Sequence, residues 1–145
     1  DWRRGEQYFA LKLNDFDLLY IQEDPYVEFR TGLEKFEENK ALGLLLMEES
    51  IKKDPMPKAN IVLANLFYID QNYIRSEKLL TTNVGLEPFR LEPLTDLMEY
   101  YIKTNQIQKK IAMAKKIINM PVKIKSKKAD EYKNKAKIVL ETEKK

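Results

Sequence analysis

The chain has 145 residues, of which 43% are hydrophobic and 34% are charged. This length allows one domain or a short repeat array, and the apolar fraction is high enough to exclude a disordered chain. The sequence contains neither Cys nor His, which excludes disulfides, thiol nucleophiles, imidazole bases and ordinary zinc sites, and the net charge is +3.

The first 23 residues are predicted to form a short helix pair. Residues 2–12 and 15–22 have helical apolar spacing, with a turn at Asn14 and Asp15 between them. Their apolar side chains are expected to cover the first end of the following helices. These side chains are Trp2, Phe9, Leu13, Phe16, Leu19 and Tyr20.

A repeat with a period of 33 residues runs through the middle of the chain. It relates Asn39, Asn72 and Asn105, and also Pro55, Pro88 and Pro121. The same period aligns four apolar columns, which are Phe36 with Ile69 and Ile102, Leu46 with Leu79 and Ala112, Met47 with Leu80 and Met113, and Ile51 with Val84 and Ile117. Small residues recur at Gly43 with Ser76 and at Ser50 with Asn83, although the third copy has Lys109 and Lys116 there.

Each repeat is predicted to be a helix, a turn and a second helix. Asp24 is a suitable N-cap with Pro25 at the first helical position, and Asn39 suits the left-handed conformation that often ends a helix. Prolines end the second helices because proline lacks an N–H and clashes with the preceding turn. The predicted helices cover residues 25–38, 40–53, 58–70, 73–86, 91–104 and 106–119.

The segment that follows is predicted to be extended and then helical. We expect Val122 and Ile124 to lie over the last helix pair, with Lys123 and Lys125 exposed and Ser126 as the N-cap of a helix over 127–143. This final helix has a narrow apolar stripe, as expected of a terminal capping helix. The stripe consists of Ala129, Tyr132, Ala136, Val139 and Leu140.

Helix pairs of about this length resemble tetratricopeptide repeats, and residues 72–88 match that consensus best. The fold class is therefore predicted to be all-α. We expect one domain over residues 1–145, a tetratricopeptide-like superhelix of three to four helix pairs plus a capping helix. Its parts are the N-terminal pair 1–23, repeats at 24–57, 58–90 and 91–121, and the extended segment with the capping helix at 122–145.

A narrower resemblance is carried by two short segments. Residues 88–94 read Pro-x-Arg-x-x-Pro-Leu, and residues 121–126 read Pro-Val-Lys-Ile-x-Ser. In this order they resemble the soluble tetratricopeptide tail that follows the membrane domain of O-antigen ligase/polymerase-like proteins of Bacteroides-type bacteria. The resemblance implies a tail tethered to the bacterial inner membrane, a role in surface polysaccharide assembly and no catalytic residue, because the active residues of that family lie in its membrane-domain loops.

The side of the membrane is left open by opposing indications. Glycan transfer in that family takes place on the periplasmic side, which favours the periplasm for an assisting module. Arg3 and Arg4, which would directly follow a membrane helix, and the Lys-rich tail favour the cytoplasm by the positive-inside tendency. We place the chain on the periplasmic side.

The predicted partner-binding site is a groove lined by the first helix of each pair. Lys35, Tyr68 and Tyr101 form one column, and Gly32, Asn65 and Met98 form another, one turn earlier. Tyr and Asn suit recognition because a ring gives contact area and an OH or amide fixes orientation. The alternative is that Tyr68 and Tyr101 pack between neighbouring helices.

Arg90 allows two interpretations, an anion contact or a structural partner of Glu87 and the preceding helix end, and we favour the second. Catalysis by carboxylates is not expected, because the neighbouring acids Glu37–Glu38 and Glu48–Glu49 point about 100° apart on a helix. No enzymatic activity, cofactor or metal is therefore predicted.

Two functions remain from these patterns. The first is a non-catalytic scaffold that holds a protein or peptide partner near the attached membrane domain, or a free-standing adaptor of the same kind. The second is electrostatic, because residues 103–145 carry 14 Lys against 4 acids while residues 1–102 carry 12 Lys and Arg against 19 acids. Such a basic segment can dock on anionic lipid or nucleic acid. Nucleic acid is disfavoured because the segment has no Arg and a single aromatic residue, Tyr132.

Overall fold

A computed structural model of the protein describes residues 24–144. These residues form seven α-helices and no strand, which confirms the all-α prediction. The helices are α1 Pro25–Lys35, α2 Lys40–Lys53, α3 Pro57–Ile69, α4 Tyr73–Leu86, α5 Leu91–Lys103, α6 Ile107–Asn119 and α7 Lys127–Glu143. The predicted helix pair over residues 2–12 and 15–22 lies outside the described residues.

The chain divides into two compact units, one ending at Leu63 and the other beginning at Ala64. The first unit contains the α1–α2 helix pair, and the second contains α4 to α7. Each unit is built from antiparallel neighbours joined by short turns, which is the arrangement that the helix-turn-helix repeat predicts.

Side-chain caps fix where several helices begin. Asp24 Oδ1 accepts hydrogen bonds from the backbone N–H groups of Tyr26 and Val27, as predicted. Ser126 Oγ likewise accepts from Ala129 N–H at the start of α7. The prediction for Asn39 was wrong: its backbone is extended and its side chain caps α2 by accepting from Leu42 N–H. Asn makes an equally good N-cap, so its presence alone cannot distinguish the two roles.

The third copy of the repeat is offset by one residue from the predicted register. The left-handed turn residues are Gln71 and Asn105, which are 34 positions apart. Buried positions follow the same spacing, since Leu80 and Asn83 of α4 correspond to Ala114 and Ile117 of α6. The structural counterparts of the small residues are therefore not Lys109 and Lys116, and the predicted apolar column position Ala112 is exposed.

In the first unit, α1 and α2 approach each other at two glycines. A Cβ atom added to Gly32 would lie 2.7 Å from the Gly43 carbonyl oxygen, and one added to Gly43 would lie 2.7 Å from the Gly32 oxygen. Glu28 is buried beside this contact, and its carboxylate is 3.1 Å from Lys53 Nζ of α2. Burial raises the pKa of Glu28, while the hydrogen bond and positive charge of Lys53 oppose that rise. The backbones thus touch directly, with an ion pair between the two helices.

In the second unit, the main core lies among α5, α6 and α7. Met98 and Leu94 of α5 pack with Ala114 and Ile117 of α6 and with Ala136 of α7. Val139 and Leu140 of α7 pack against the same core, so the narrow apolar stripe predicted for this helix is the face that docks. The final helix is held by side-chain packing on two other helices rather than by its sequence propensity alone.

The glycine contact predicts opposite effects for two matched substitutions. Gly43→Ala places a methyl group against backbone atoms, so we expect it to lower the free energy of unfolding by about 1–3 kcal/mol. Gly85→Ala in α4 has open space around the new methyl group and gains helix propensity, so it should raise stability by about 0.5–1 kcal/mol. Urea denaturation followed by circular dichroism measures the free energy of unfolding of both variants. Equal changes in the two variants would contradict the close approach of α1 and α2.

Candidate functional site

Among residues 24–144 no group of three or more Asp and Glu side chains is placed to hold a metal ion. None of the helices over these residues is long and apolar enough to cross a membrane.

The five residues of the predicted groove are divided between the two units and differ in exposure. Lys35 lies in the unit that ends at Leu63, where its ammonium is 3.9 Å from Glu38. The other four lie in the second unit, where Asn65 is exposed and Tyr68 is partly exposed. Met98 is 0% exposed and belongs to the core, and Tyr101 is only 5% exposed. The side chains of Met98 and Tyr101 are therefore not available to a partner on this face. The sixth position of that pattern, Gly32, lies in the buried helix contact described above.

Tyr68 and Tyr101 belong to a chain of aromatic contacts in the second unit. The ring centres of Tyr68 and Tyr100 are 6.1 Å apart, and those of Tyr100 and Tyr101 are 5.8 Å apart, both in edge-to-face arrangements. Tyr73 lies 5.6 Å from Tyr68, and Lys103 Nζ is 4.2 Å from the Tyr68 ring centre. This arrangement matches the alternative in which the tyrosines pack between helices.

A partly buried hydrogen bond fixes the hydroxyl of Tyr101. It donates to Glu77 Oε2 at 2.8 Å, and Lys109 Nζ is 2.9 Å from the same oxygen. Burial and the negative charge of Glu77 raise the pKa of Tyr101 well above its usual range. Desolvation acts to raise the pKa of Glu77, but the hydrogen bonds from Lys109 and Tyr101 outweigh it and lower that pKa. The group connects α4, α5 and α6 and is structural.

A cleft of about 910 Å³ lies in the second unit. We call it the linker cleft, because its walls are the α4–α5 linker, the α6–α7 linker and the first turns of α7. The residues that line it are Phe89 to Glu92, Met120 to Ile124, Ser126, Lys128, Ala129 and Tyr132. Both short segments that carry the family resemblance, residues 88–94 and 121–126, contribute to these walls.

Large apolar side chains are exposed along the linker cleft. Phe89 is 91% exposed and Ile124 is 82% exposed, while Val122 is exposed to a smaller extent. The prediction that Val122 and Ile124 cover the last helix pair was therefore wrong. Met120, Val139 and Leu140 pack against that core instead, which leaves the following linker residues outside it. Exposed aromatic and aliphatic side chains around one concavity are typical of a docking surface.

Ion pairs connect residues of the α4–α5 wall of the cleft. Arg90 Nη1 donates to Glu87 Oε2 at 2.7 Å, and Nη2 donates to Glu92 Oε1 at 3.1 Å. The hydrogen bond and negative charge of Glu87 raise the pKa of Arg90 further. The predicted structural pairing of Arg90 with Glu87 is thus confirmed. Both carboxylates bind the Arg90 guanidinium. These contacts orient the backbone beside Phe89.

The opposite wall is fixed by the docking of α7. Lys133 Nζ donates to the backbone carbonyls of Ile118 at 2.9 Å and Met120 at 2.5 Å, which satisfies the C-terminal end of α6. Lys110 Nζ pairs with Glu143 Oε1 at 2.6 Å near the other end of α7. The linker over residues 121–126 lies between the Lys133 contact at Met120 and the Ser126 cap of α7, and its own side chains are exposed.

One carboxyl group close to α7 has an unusual environment. Burial and the neighbouring charges of Glu92 and Glu99 raise the pKa of Asp96 to about 6, although Lys135 and Lys128 of α7 act in the opposite direction. Lys135 itself is 3.2 Å from Glu99 Oε1. Asp96 therefore carries its negative charge at neutral pH at a cost to stability.

No family model matches this sequence, and a comparison with curated proteins finds no significant match. The candidate site is therefore defined by its own geometry. The sequence predicted a packing role for Val122 and Ile124 and assigned no role to Phe89. The signal that could have found the site is the pair of proline-bounded linkers, each of which carries large apolar residues without a helical period to bury them.

The raised pKa of Asp96 predicts a pH-dependent stability difference. In the unfolded chain an Asp titrates near 3.9, so the wild type loses stability as pH rises from about 4 through about 6. Asp96→Asn removes that loss. The variant should match the wild type near pH 4 and exceed it by about 1–3 kcal/mol at pH 7.

Urea unfolding at pH 4, 5, 6 and 7 measures this difference. Asp130→Asn, on the exposed side of α7, is the matched control and should change little across the range. A variant of Asp96 that is less stable than the wild type at pH 7 would contradict the burial of the charge.

Proposed function

We propose that this chain is a non-catalytic protein-interaction module and that the linker cleft is its binding surface. The observation that carries the proposal is the cleft itself, in which Phe89 and Ile124 are almost fully exposed on opposite linkers. Exposing such side chains to water is unfavourable by about 1.5–3 kcal/mol each relative to full burial. A partner that covers them regains that free energy.

Side-chain contacts on both walls support binding by a preformed surface. Arg90 is held by two carboxylates, and Lys133 ties α7 to the end of α6. A site whose backbone is already ordered loses less conformational entropy when it binds. An extended peptide segment is the natural occupant, since the cleft runs between two linkers rather than along one helix.

The exposure of residues in the second unit favours the linker cleft over the groove predicted from the sequence. Met98 and Tyr101 are buried in structural contacts, so the remaining members of that set on this unit are Asn65 and Tyr68. The cation contact of Lys103 already covers part of the Tyr68 ring. The linker cleft exposes more apolar surface than this pair.

The wider context of the proposal comes from the resemblance. We propose that the module is a tetratricopeptide-like soluble tail of an O-antigen ligase/polymerase-like membrane protein, on the periplasmic side of the inner membrane, where it holds a partner near the attached membrane domain. In support, the two segments that carry the resemblance are the two that form the cleft walls.

A second candidate is docking on an anionic membrane. It is favoured by four lysines that flank the exposed apolar residues of the second linker, at positions 123, 125, 127 and 128. Insertion of Phe89 and Ile124 between lipid headgroups with lysines around them would use the same side chains.

A peptide selection tests the proposed function. A display library of random twelve-residue peptides is selected for binding to the immobilised wild-type chain. The affinity of each enriched peptide is then measured for the wild type and for the double variant Phe89→Ser/Ile124→Ser. We expect enriched peptides to bind the wild type and to lose at least about tenfold in affinity on the double variant, because hot-spot residues of this kind contribute about 1–2 kcal/mol each.

The control is Ile74→Ser/Ile138→Ser, which removes two exposed apolar residues that do not line the cleft. Its binding should equal that of the wild type. Enriched peptides that bind both double variants equally well, or no enrichment at all, would refute the cleft as the binding surface.

A further inference from the structure

The charges of the linker cleft are divided between its two walls. On the α4–α5 wall, Arg90 is paired with both Glu87 and Glu92, so this group carries a net charge of −1. On the other wall, Lys123 and Lys128 line the cleft. Neither lysine forms an ion pair within the described residues. The positive charge available to a partner therefore lies on the α6–α7 side alone.

The apolar residues lie next to these two lysines. Val122 and Ile124 flank Lys123 in the sequence, and Phe89 faces the same concavity from the other linker. Lys128 Nζ is 5.9 Å from the ring centre of Tyr132, which places a cation beside an aromatic wall of the cleft. A complementary partner needs an apolar group and a negative group side by side.

We infer that the linker cleft binds an extended partner segment in which Asp or Glu is adjacent to a large apolar residue. The carboxylate pairs with Lys123 and Lys128, and the apolar side chain packs against Phe89, Val122 and Ile124. This inference rests on the proposed function and specifies the chemistry of the partner.

Two observations favour this occupant over an anionic bilayer. The cleft is concave, with a volume of about 910 Å³, so a chain segment can enter it where a flat headgroup layer cannot follow. The Arg90 wall has an excess negative charge, which a uniformly anionic surface would meet with repulsion. A single carboxylate on a peptide can instead be placed at the lysine side.

The test uses peptides enriched in the selection on the wild-type chain. Fluorescein-labelled copies are compared with copies in which every Asp and Glu is replaced by Asn and Gln, and fluorescence anisotropy gives both affinities. We expect the amide copies to bind about tenfold or more weakly. Lys123→Glu/Lys128→Glu should weaken the acidic peptides similarly, because each close charge pair is reversed.

The matched control is Lys115→Glu/Lys116→Glu, which changes the net charge equally at exposed positions of α6 outside the cleft. It should retain the affinity of the wild type within about twofold. Equal losses in both charge-reversal variants would show non-specific attraction and overturn the inference.

Other outcomes separate the two proposals. Peptides that require Phe89 and Ile124 but contain no acidic residue overturn the inference and leave the proposed function intact. Failure to enrich any cleft-dependent peptide overturns both. If vesicles of phosphatidylserine and phosphatidylcholine bind the wild type but not Phe89→Ser/Ile124→Ser, and no peptide does, the occupant is a membrane and the inference is wrong.

Discussion

The apolar face of α5 is the constraint on which the second unit depends. Seven of its residues are buried, and they are Pro93, Leu94, Thr95, Leu97, Met98, Tyr100 and Tyr101. A face this wide cannot be covered by one neighbouring helix, since two packed helices bury only a stripe of each other. Helices α4, α6 and α7 all contact it. The position of α7 follows because a third helix is needed to cover the apolar face of α5.

The docking of α7 determines the linker before it. Ala136 is fully buried at the contact, which lets the helix backbone come close to α5 and α6. Lys133 then satisfies carbonyl groups at the end of α6, which Pro121 prevents from continuing. The linker between these anchors has to cross the surface without a helix, so Val122 and Ile124 cannot reach the core. The linker cleft is a consequence of how the core is closed.

The sequence predicted the helices well because their signals are local. Asp24, Ser126 and the prolines mark helix ends by their own chemistry, and the ranges 40–53, 73–86 and 127–143 agree with α2, α4 and α7. The offset of the third repeat was not predictable in the same way. It arises in a turn where Asn105 takes the left-handed conformation that Gln71 takes in the previous repeat. The period of 33 residues that relates the Asn and Pro positions therefore differs from the spacing of 34 between the two left-handed turn residues.

The candidate site was less predictable for a physical reason. Burial of Met98 and Tyr101, and exposure of Phe89 and Ile124, depend on which helices cover α5, and a helical period does not contain that information. A concave face was predicted from the positions of first helices, whereas the exposed apolar side chains of the linker cleft, Phe89, Val122 and Ile124, lie in linkers. Such residues follow neither a helical nor a strand period, and only tertiary packing decides whether they are covered.

Hydrogen exchange of α7 in the full chain tests the central claim most directly, because a docked α7 is what creates the linker cleft. A lysine-rich helix of this length is marginal by itself in water. We expect the amides around Ala136 to be protected to nearly the same degree as those around Met98 of α5, and those of residues 122–125 to exchange rapidly. If α7 instead exchanges at the rate of an isolated peptide, it is not docked and the cleft does not exist in solution.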